Sequence, residues 1–364
     1  MLPALESGGV EKGTLEVGRH LVARGHRSIV IAAGGRLAPQ LVAEGSEHLP
    51  WPVGAKRLAT LRWVHRVRRL LAEERPDILH LRSRLPAWIG YLAWRGLPPA
   101  ARPALVTTFH GFYRPGRYSA VMTFGQALIA ISATVRDYIL KTYPQVSPQR
   151  IVVIPRGVDP AQYPFGYQAP PPWRERWWAE FPQTRGGRLL TLPGRLTRLK
   201  GHHDFIRLVA RLNAAGLDVR GVVVGGVDPR RRAYAAEIRR LAEREGEGRI
   251  VFTGHRDDVR EIYAVSDVVL SLSRQPESFG RTVLEALNLG VPVAAYAHGG
   301  VGEVLGRLWP EGAIAPGDEE ALFERVRGWL GQRPVLAPPQ GYTLAEMLDR
   351  TLQVYTDVGG RVGI

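Results

Sequence analysis

The chain alternates short apolar runs, rich in β-branched residues, with helix-length amphipathic segments from one end to the other. Such runs predict buried strands, and strands that alternate with helices predict βαβ units and parallel sheets, an α/β fold class. The predicted strands are Ser28–Ala33, Asp77–Leu81, Ala104–Phe109, Ala127–Ser132, Ile151–Pro155, Leu189–Pro193, Val219–Val224, Ile250–Thr253, Asp267–Leu272 and Pro292–Tyr296. The predicted helices are Gly13–Arg24, Leu58–Glu74, Ala133–Thr142, His203–Ala214, Arg231–Glu245 and Arg281–Leu289.

A Pro- and Trp-rich stretch, residues 163–188, interrupts this alternation. The length of 364 residues exceeds the ~100–200 of one ordinary domain. We therefore predict an N-terminal domain of residues 1–160 and a C-terminal domain of residues 161–342. The last helical pattern, Thr343–Val354, could pack on either half, and we expect it to join the first domain with residues 343–364.

The beginning of the chain departs from the usual pattern of such domains. A doubly wound domain begins with a strand that leads into its first glycine turn, but here only Met1–Leu5 precede the turn. We expect either a first strand reduced to a stub or a start codon assigned late. The pair Gly8-Gly9 permits an anionic group to approach the N-terminus of the following helix. Because any α/β loop can hold two glycines, this pair predicts a site only in combination with other motifs.

Composition excludes cysteine chemistry but leaves the meaning of a large positive charge open. The chain has no cysteine, and hence no disulfide, thiolate metal site or cysteine nucleophile. Its formal charge of +15 favours anionic partners such as nucleotides, phosphorylated lipids or nucleic acid, or else describes a solvated surface. No apolar run approaches the ~18–20 residues that cross a bilayer, and no secretory leader is present, so we expect a cytoplasmic protein.

The segment G-R-L-T-R-L-K-G, residues 194–201, follows a predicted strand. Arg195 therefore lies at the carboxyl end of a strand, where open α/β sheets bind ligands. The guanidinium of Arg195 and the ammonium of Lys200 together suit a diphosphate. Lysine is rare among the 49 basic residues of this chain, so its use here favours a binding site over an ordinary surface loop.

The segment R-Q-P-E-S-F-G-R-T-V-L-E-A-L-N-L-G-V-P, residues 274–292, reads as a strand end, a loop, a short helix and the next strand. Ser278 is the predicted N-cap of the helix, and Gly290 is the glycine predicted to end it. The amides near Gly280–Val283 would then be able to bind a phosphate.

Two carboxylates flank this helix start, Glu277 before it and Glu285 within it. Eight residues of helix span about 12 Å, which exceeds the roughly 5–9.5 Å between the two carboxylates of a glycosidase. Separate roles fit better, one carboxylate for the hydroxyls of a sugar and the other for a ribose.

These segments together resemble those of the retaining glycosyltransferases of family 4, which have the GT-B fold. The specific motifs are residues 194–201 and P-E-S-F-G…E-A within residues 276–286. The resemblance extends over nearly the whole chain through G-G-V-E (residues 8–11), T-F-H-G (108–111) and I-P-R-G-V-D (154–159). H-L-R-S-R (80–84) and H-G-G-V-G-E (298–303) are similar to a subgroup associated with bacterial lipopolysaccharide or surface polysaccharide assembly.

The resemblance implies two Rossmann-like domains that face each other across a cleft, with a nucleotide sugar on the C-terminal domain. The residues implied in catalysis are His110, Arg195, Lys200 and Glu277. Those implied in donor binding are Gly8, Gly9, Arg195, Lys200, Gly254, His255, Glu277, Ser278, Phe279, Gly280, Arg281, Thr282 and Glu285. The expected donor is a UDP-sugar on family frequency, with no cofactor and no metal ion. Retention of configuration without a carboxylate nucleophile implies that the acceptor attacks the sugar on the same face from which the leaving group departs.

The acceptor, a glycan or a lipid-linked saccharide, is expected on the N-terminal domain. The residues implied in its binding are His80, Arg82, Arg84 and Arg114, whose charges suit phosphates or acidic sugars. The basic stretch Leu58–Arg69 could rest on an anionic membrane at its inner face, although the solvated side of an ordinary helix fits the same pattern.

Three other functions stay open from the sequence. A nucleotide-sugar epimerase of the same fold would bind the donor and need no acceptor, and a donor-binding scaffold would bind it without turnover. A nucleic-acid-binding protein would use the positive charge, but we find no aromatic-basic recognition motif and expect no nucleic-acid partner. The adjacent His202 and His203 are predicted to begin a helix rather than to bind a metal ion.

Overall fold

A computed structural model describes residues 1–6, 8–227 and 231–360 of the chain. It contains two compact units, which we call the first unit, Met1–Arg156 together with the chain from Ala345 onward, and the second unit, Gly157–Leu344. Every strand pair in both units is parallel. This confirms the predicted α/β class with two Rossmann-like halves.

The helices and strands within the described ranges are numbered in chain order. The strands are β1 (Ile29–Ile31), β2 (Glu47–Leu49), β3 (Ile78–Leu81), β4 (Ala104–Phe109), β5 (Ala127–Ala130), β6 (Ile151–Val153), β7 (Arg188–Pro193), β8 (Val219–Val224), β9 (Ile250–Gly254), β10 (Val268–Ser271), β11 (Val293–Tyr296) and β12 (Ala313–Ile314). The helices are α1 (Gly9–Ala23), α2 (Ala38–Ala43), α3 (Arg62–Glu74), α4 (Arg84–Arg95), α5 (Arg117–Ala120), α6 (Ala133–Thr142), α7 (Pro171–Glu180), α8 (His202–Ala214), α9 (Arg232–Glu245), α10 (Val259–Ala264), α11 (Arg281–Asn288), α12 (Gly299–Leu308), α13 (Glu319–Gly331) and α14 (Leu344–Gly359). None of these helices is both long and apolar enough to cross a lipid bilayer.

In the first unit, the segment Met1–Leu5 lies between two groups of strands. Strands β3, β4, β5 and β6 form one sheet, and β1 pairs with β2. The amide of Leu2 donates to the carbonyl of Ile31 in β1 at 3.1 Å, and the carbonyl of Met1 accepts from the amide of Arg82 after β3 at 3.1 Å. The segment Met1–Leu5 thus bridges β1 and β3 through backbone hydrogen bonds. The spatial order is β2, β1, this segment, β3, β4, β5 and β6, so the direction of winding reverses between the segment and β3.

Helix α14 packs on the first unit, as expected for the last helical pattern. The hydroxyl of Tyr355 lies 2.6 Å from Nδ1 of His80 in β3, and Arg350 donates to the carbonyl of Val153 at 2.7 Å. A cavity of about 650 Å³ lies between α1, β1, β3 and α14, and Thr14 and Arg82 are among the residues that border it.

In the second unit, six parallel strands lie in the order β9, β8, β7, β10, β11 and β12. The winding reverses between β7 and β10, the arrangement of a doubly wound dinucleotide-binding sheet. The Trp-rich stretch that interrupts the sequence pattern forms α7, in which Trp173 and Trp177 stack with ring centroids 5.4 Å apart and pack against Leu189 and Val222. The amide of Leu344 donates to the carbonyl of Val158 at 2.9 Å, which brings the two ends of the unit together.

Replacing Tyr355 by Phe removes the hydroxyl that contacts His80 and leaves a buried ring nitrogen unsatisfied. We expect the free energy of unfolding to fall by about 1–3 kcal/mol. The control is Thr356→Val, which removes an exposed hydroxyl bonded to its own helix and should change stability by less than ~0.5 kcal/mol. Urea unfolding measures the free energy of unfolding of both variants. Equal losses in the two variants would contradict a role of the Tyr355–His80 hydrogen bond in holding α14.

Candidate functional site

The loops after β7 and β10 meet where the winding of the second unit reverses. Lys200, in the loop after β7, donates to Oε1 of Glu277, in the loop after β10, at 2.7 Å. Ligands of doubly wound sheets bind outside the carboxyl ends of the strands at such a reversal. The structure thus brings together two residues that the sequence implies in catalysis.

Within the described residues, one oxygen of the Glu277 carboxylate, Oε1, accepts the hydrogen bonds. The hydroxyl of Ser273 also donates to its Oε1, and Nε2 of His298 donates to the carbonyl of Ser273 at 2.6 Å. Among the described residues both bonds fall on Oε1, so Oε2 can accept a hydrogen bond from a ligand. Burial raises the pKa of Glu277, but Lys200 and Ser273 outweigh it and hold the pKa below its ordinary value of 4.5.

Two glycines fix the path of the loop that carries Lys200. Gly194, with φ of +143°, lies under the side chain of Lys200, and a Cβ there would be 3.0 Å from Cδ of the lysine. Gly201, with φ of +70°, lies against Leu272, and a Cβ there would collide with the carbonyl oxygen of Leu272. Other residues would shift the loop, so these glycines position the ammonium at Glu277.

Helix α11 begins at Arg281 and ends before Gly290 as predicted, but its N-cap differs from the prediction. Its N-cap is Gly280, with φ of +111° and no side-chain cap. The predicted cap Ser278 is therefore wrong, because the chain enters the helix through a left-handed glycine two residues later. Gly290, with φ of +76°, ends the helix. The first amides of a helix have no intrahelical partner, so those from Arg281 onward can receive an anion.

The other residues implied in donor binding have mixed surroundings. Arg195 is exposed and makes no hydrogen bond or ion pair to the described parts of the chain. Glu285 is buried and accepts from Nε of Arg281 at 3.2 Å. Phe279 is buried against the ring of Tyr342, with centroids 5.7 Å apart, and therefore supports the loop from inside.

Further along the sheet edge, β9 ends at Gly254, which has φ of +72°. The next residue, His255, is exposed, and its Nε2 lies 3.2 Å from Asp257. Helix α8 begins at His202, as predicted, and burial lowers the pKa of this histidine to about 4. In the described ranges no group of three or more histidine, aspartate and glutamate side chains is arranged to hold a metal ion.

In the first unit, His110 follows β4 and is held by an arginine. Nη2 of Arg156 donates to Nδ1 of His110 at 2.5 Å. Burial, reinforced by Arg156 and Arg82, lowers the pKa of His110 well below 6.5, so the ring is neutral at pH 7. His80 differs, because Tyr355 and Thr108 contact its two ring nitrogens. No ring nitrogen of His80 is left for the acceptor role that the sequence predicts.

The three arginines implied in acceptor binding are not alike. Arg82 is buried, with 4% of its surface exposed. The guanidinium of Arg84 lies 5.0 Å from the ring centroid of Tyr113, and Arg114 is exposed.

In the described part of the first unit's glycine loop, neither Gly8 nor Gly9 has a left-handed φ. Helix α1 begins at Gly9, and its N-cap Gly8 has an ordinary φ of −93°. The carboxylate of Glu11 lies beside Gly8. An acidic group of the chain itself is therefore at the helix end where an anion was expected.

Sequence reasoning assigned no role to Arg156, Ser273 or His298. Arg156 and His298 lie within quoted motifs, but only the fold shows that one contacts His110 and the other supports Ser273. No local signal points to Ser273, since a serine after a strand is common in any loop.

Two family models match the chain, "Glycosyltransferase Family 4" over residues 7–162 and "Glycosyl transferases group 1" over residues 175–337. Among solved structures, a glycosyltransferase from Rickettsia africae has 26% identity and a TM-score of 0.85, covering 98% of this chain and 97% of that one. Anabaena HepE, in complex with UDP-glucose, has 20% identity and a TM-score of 0.80, covering 97% and 99%. The chain belongs to the family 4 type of glycosyltransferases with the GT-B fold.

A curated relative is the 2-deoxystreptamine glucosyltransferase of Streptomyces kanamyceticus, 35% identical over 195 residues. The alignment covers 52% of this chain and 48% of the relative. The match thus spans about half the length of that protein.

Two alanine variants test the glycine that positions Lys200. Gly248 also has a positive φ, +74°, but open space around its missing side chain. Gly248→Ala should cost about 1–2 kcal/mol for backbone strain alone. Gly201→Ala should cost about 1–3 kcal/mol more, because its Cβ also meets Leu272. Thermal unfolding of both variants measures the difference, and similar losses would contradict the close approach.

A pH series tests the Lys200–Glu277 ion pair. Because the folded pKa of Glu277 lies below 4.5, the pair stabilises the fold fully above that value and is lost as pH falls through the folded pKa. The stability difference between wild type and Glu277→Gln in urea should be constant from about pH 6 to 7 and shrink below about pH 4.5. The exposed control Glu243→Gln should show no such decline, and a difference that does not vary with pH would rule out the pair.

Proposed function

We propose that the protein transfers a sugar from a nucleoside-diphosphate sugar to a saccharide acceptor with retention of configuration. The observation that carries this proposal is the Lys200–Glu277 pair beside the N-terminus of α11. An ammonium and helix amides suit a diphosphate, and Oε2 of Glu277 suits a sugar hydroxyl. Membership of the family and the UDP-glucose bound by Anabaena HepE support a nucleotide sugar, with UDP as the first choice.

Each side chain then has a separate task. Lys200 and Arg195 bind the diphosphate and stabilise the negative charge that develops on it, at about 1.5–3 kcal/mol for each charge-assisted bond. Glu277 orients the transferred sugar, and Glu285 accepts the ribose hydroxyls. The backbone near residues 254–255 contacts the base.

The proposed reaction needs no carboxylate nucleophile. The bond between the anomeric carbon and the diphosphate breaks, and the acceptor oxygen forms its bond on the same face. The acceptor proton passes to the leaving phosphate, so atoms and charge balance. Because two cations and the helix amides carry the developing charge, we propose that no divalent metal is required. A role of His110 near the reacting carbon stays a prediction.

The acceptor is proposed to be a glycan or a lipid-linked saccharide of a bacterial surface polysaccharide, on the resemblance of residues 80–84 and 298–303. Contact with an anionic membrane stays a prediction. Leu58 and Leu61, beside the basic face of α3, are 89% and 59% exposed. Trp63, in the same stretch, stacks on Trp51 with ring centroids 5.4 Å apart. Trp63 is therefore buried and adds no exposed apolar area to this stretch.

Calorimetry with UDP, GDP and ADP in EDTA tests the donor site first. We expect one nucleotide to bind without metal and Lys200→Ala to weaken it about tenfold or more, since a charge-assisted bond is lost. Lys141→Ala, an exposed lysine at the end of α6, is the matched control and should bind as wild type. Absence of binding by all three nucleotides would contradict the proposal.

Product analysis separates transfer from its alternatives. We expect Glu277→Gln to retain nucleotide binding and to lose sugar transfer. An epimerase would convert the nucleotide sugar without any acceptor, and a scaffold would leave it unchanged in every assay. Either result would replace the proposed transfer.

A further inference from the structure

A second cluster of cations lies in the first unit, at the reversal of winding between Met1–Leu5 and β3. Arg82 follows β3 and Arg156 follows β6, both at carboxyl ends of strands. Their guanidiniums meet beside Gly13 of α1. A Cβ on Gly13 would lie 3.1 Å from Nη1 of Arg156 and 3.3 Å from Nη2 of Arg82. Glycine at this position therefore makes room for two guanidiniums side by side.

The guanidinium of Arg82 has hydrogen-bond donors that no described residue accepts. Arg82 is 4% exposed, and its Nε and Nη2 have no hydrogen-bond partner in the described parts of the chain. Glu11 and Glu16 attract it, yet burial outweighs them and lowers the pKa of Arg82. Buried polar groups in folded proteins are normally hydrogen-bonded, and a buried guanidinium without a partner is energetically unfavourable.

His110 adds a third donor. Because Arg156 donates to Nδ1 of this neutral ring, the ring proton is on Nε2. That N–H is buried and has no partner among the described residues. Arg82 and Arg156 both act electrostatically on His110, so the three side chains form one cluster, in which Nε and Nη2 of Arg82 and Nε2 of His110 have no partner among the described residues.

We propose that Arg82, Arg156 and His110 bind a phosphate group. Donors from three side chains suit a tetrahedral oxyanion better than a planar carboxylate, and two guanidiniums supply the matching charge. Of these three residues, Arg82 alone borders the cavity of about 650 Å³. The assignment of this phosphate to the sugar acceptor rests on the function proposed above. The binding of a phosphate to the three side chains does not depend on that function. Arg84 and Arg114 are not part of this site.

The test is inorganic phosphate binding by the full chain carrying Lys200→Ala, so that the donor loop contributes little. We expect phosphate to bind and to raise the unfolding temperature relative to chloride of equal ionic strength. Arg82→Gln and Arg156→Gln should each weaken binding at least tenfold. Arg136→Gln, an exposed arginine paired with Asp137 at 2.8 Å, should bind as the parent. Equal affinity in all three variants, or no phosphate binding by the parent, overturns the proposal.

A second readout does not depend on the folding of a variant with a buried substitution. In the unsubstituted protein, phosphate should shift the NMR signal of the His110 Nε2–H and raise the pKa of this ring, since a nearby anion favours the protonated form. In chloride, Arg82→Gln should be at least as stable as the parent, because it removes an unpaired buried charge. An unchanged His110 signal in saturating phosphate would exclude binding at this cluster.

Further probes identify the source of the phosphate and separate the two proposals. Arg82-dependent binding of glycerol 3-phosphate supports a soluble phosphate, and binding of phosphatidylglycerol vesicles supports a lipid headgroup. Equal binding of acetate overturns the assignment to phosphate. If UDP binds while phosphate does not, this inference fails alone. If phosphate binds through Arg82 while no nucleotide binds, the proposed transfer fails alone.

Discussion

Parallel pairing of strands is the constraint on which both sites depend. In a parallel sheet each strand must be followed by a crossover, so all loops that leave the carboxyl ends lie at one edge. Lys200 and Glu277 are 77 residues apart in the sequence, but they follow β7 and β10, which are neighbours. The same rule brings Arg82 and His110 to one edge of the first unit, since β3 and β4 are also paired. Neither site requires residues that are close in sequence.

The strands were predictable because buried parallel strands are nearly continuous apolar runs. Ala104–Phe109 and Val219–Val224 have the bounds that the sequence predicts. The predicted helix Leu58–Glu74 instead begins as an α-helix at Arg62, after a short 3₁₀ turn. Strand β2 was missed because its three residues are polar or only half-buried and form no apolar run.

The candidate site was predictable in its parts but not in its contacts. The motifs indicated Lys200 and Glu277 but not the ion pair between them, which depends on the order of strands. Ser278 looked like an N-cap because serine favours that position. The positive φ of Gly280, which makes this glycine the N-cap, cannot be recognised from the pattern of apolar residues. Arg156 stood in a motif whose position suggested only a linker.

The two units handle buried charge in opposite ways. The second unit pairs Lys200 with Glu277. Each charge is therefore compensated within the protein before any ligand binds. The first unit places Arg82 against Arg156 and His110, where burial outweighs the attraction of Arg82 to Glu16 and Glu11. A paired charge keeps a loop ordered whether or not a ligand is present, whereas an unpaired charge is stabilised only when an anion arrives.

The chain leaves the first unit at Arg156 and returns to it at Ala345. On the ribosome, the whole second unit is therefore made before α14, although β3, which α14 covers through Tyr355 and His80, was made long before. The second unit is continuous in sequence and has its ends joined by the Val158–Leu344 hydrogen bond. It can thus fold as soon as it emerges, while the first unit remains incomplete until the last helix has been synthesised. The part of the protein that is translated first is the last to be finished.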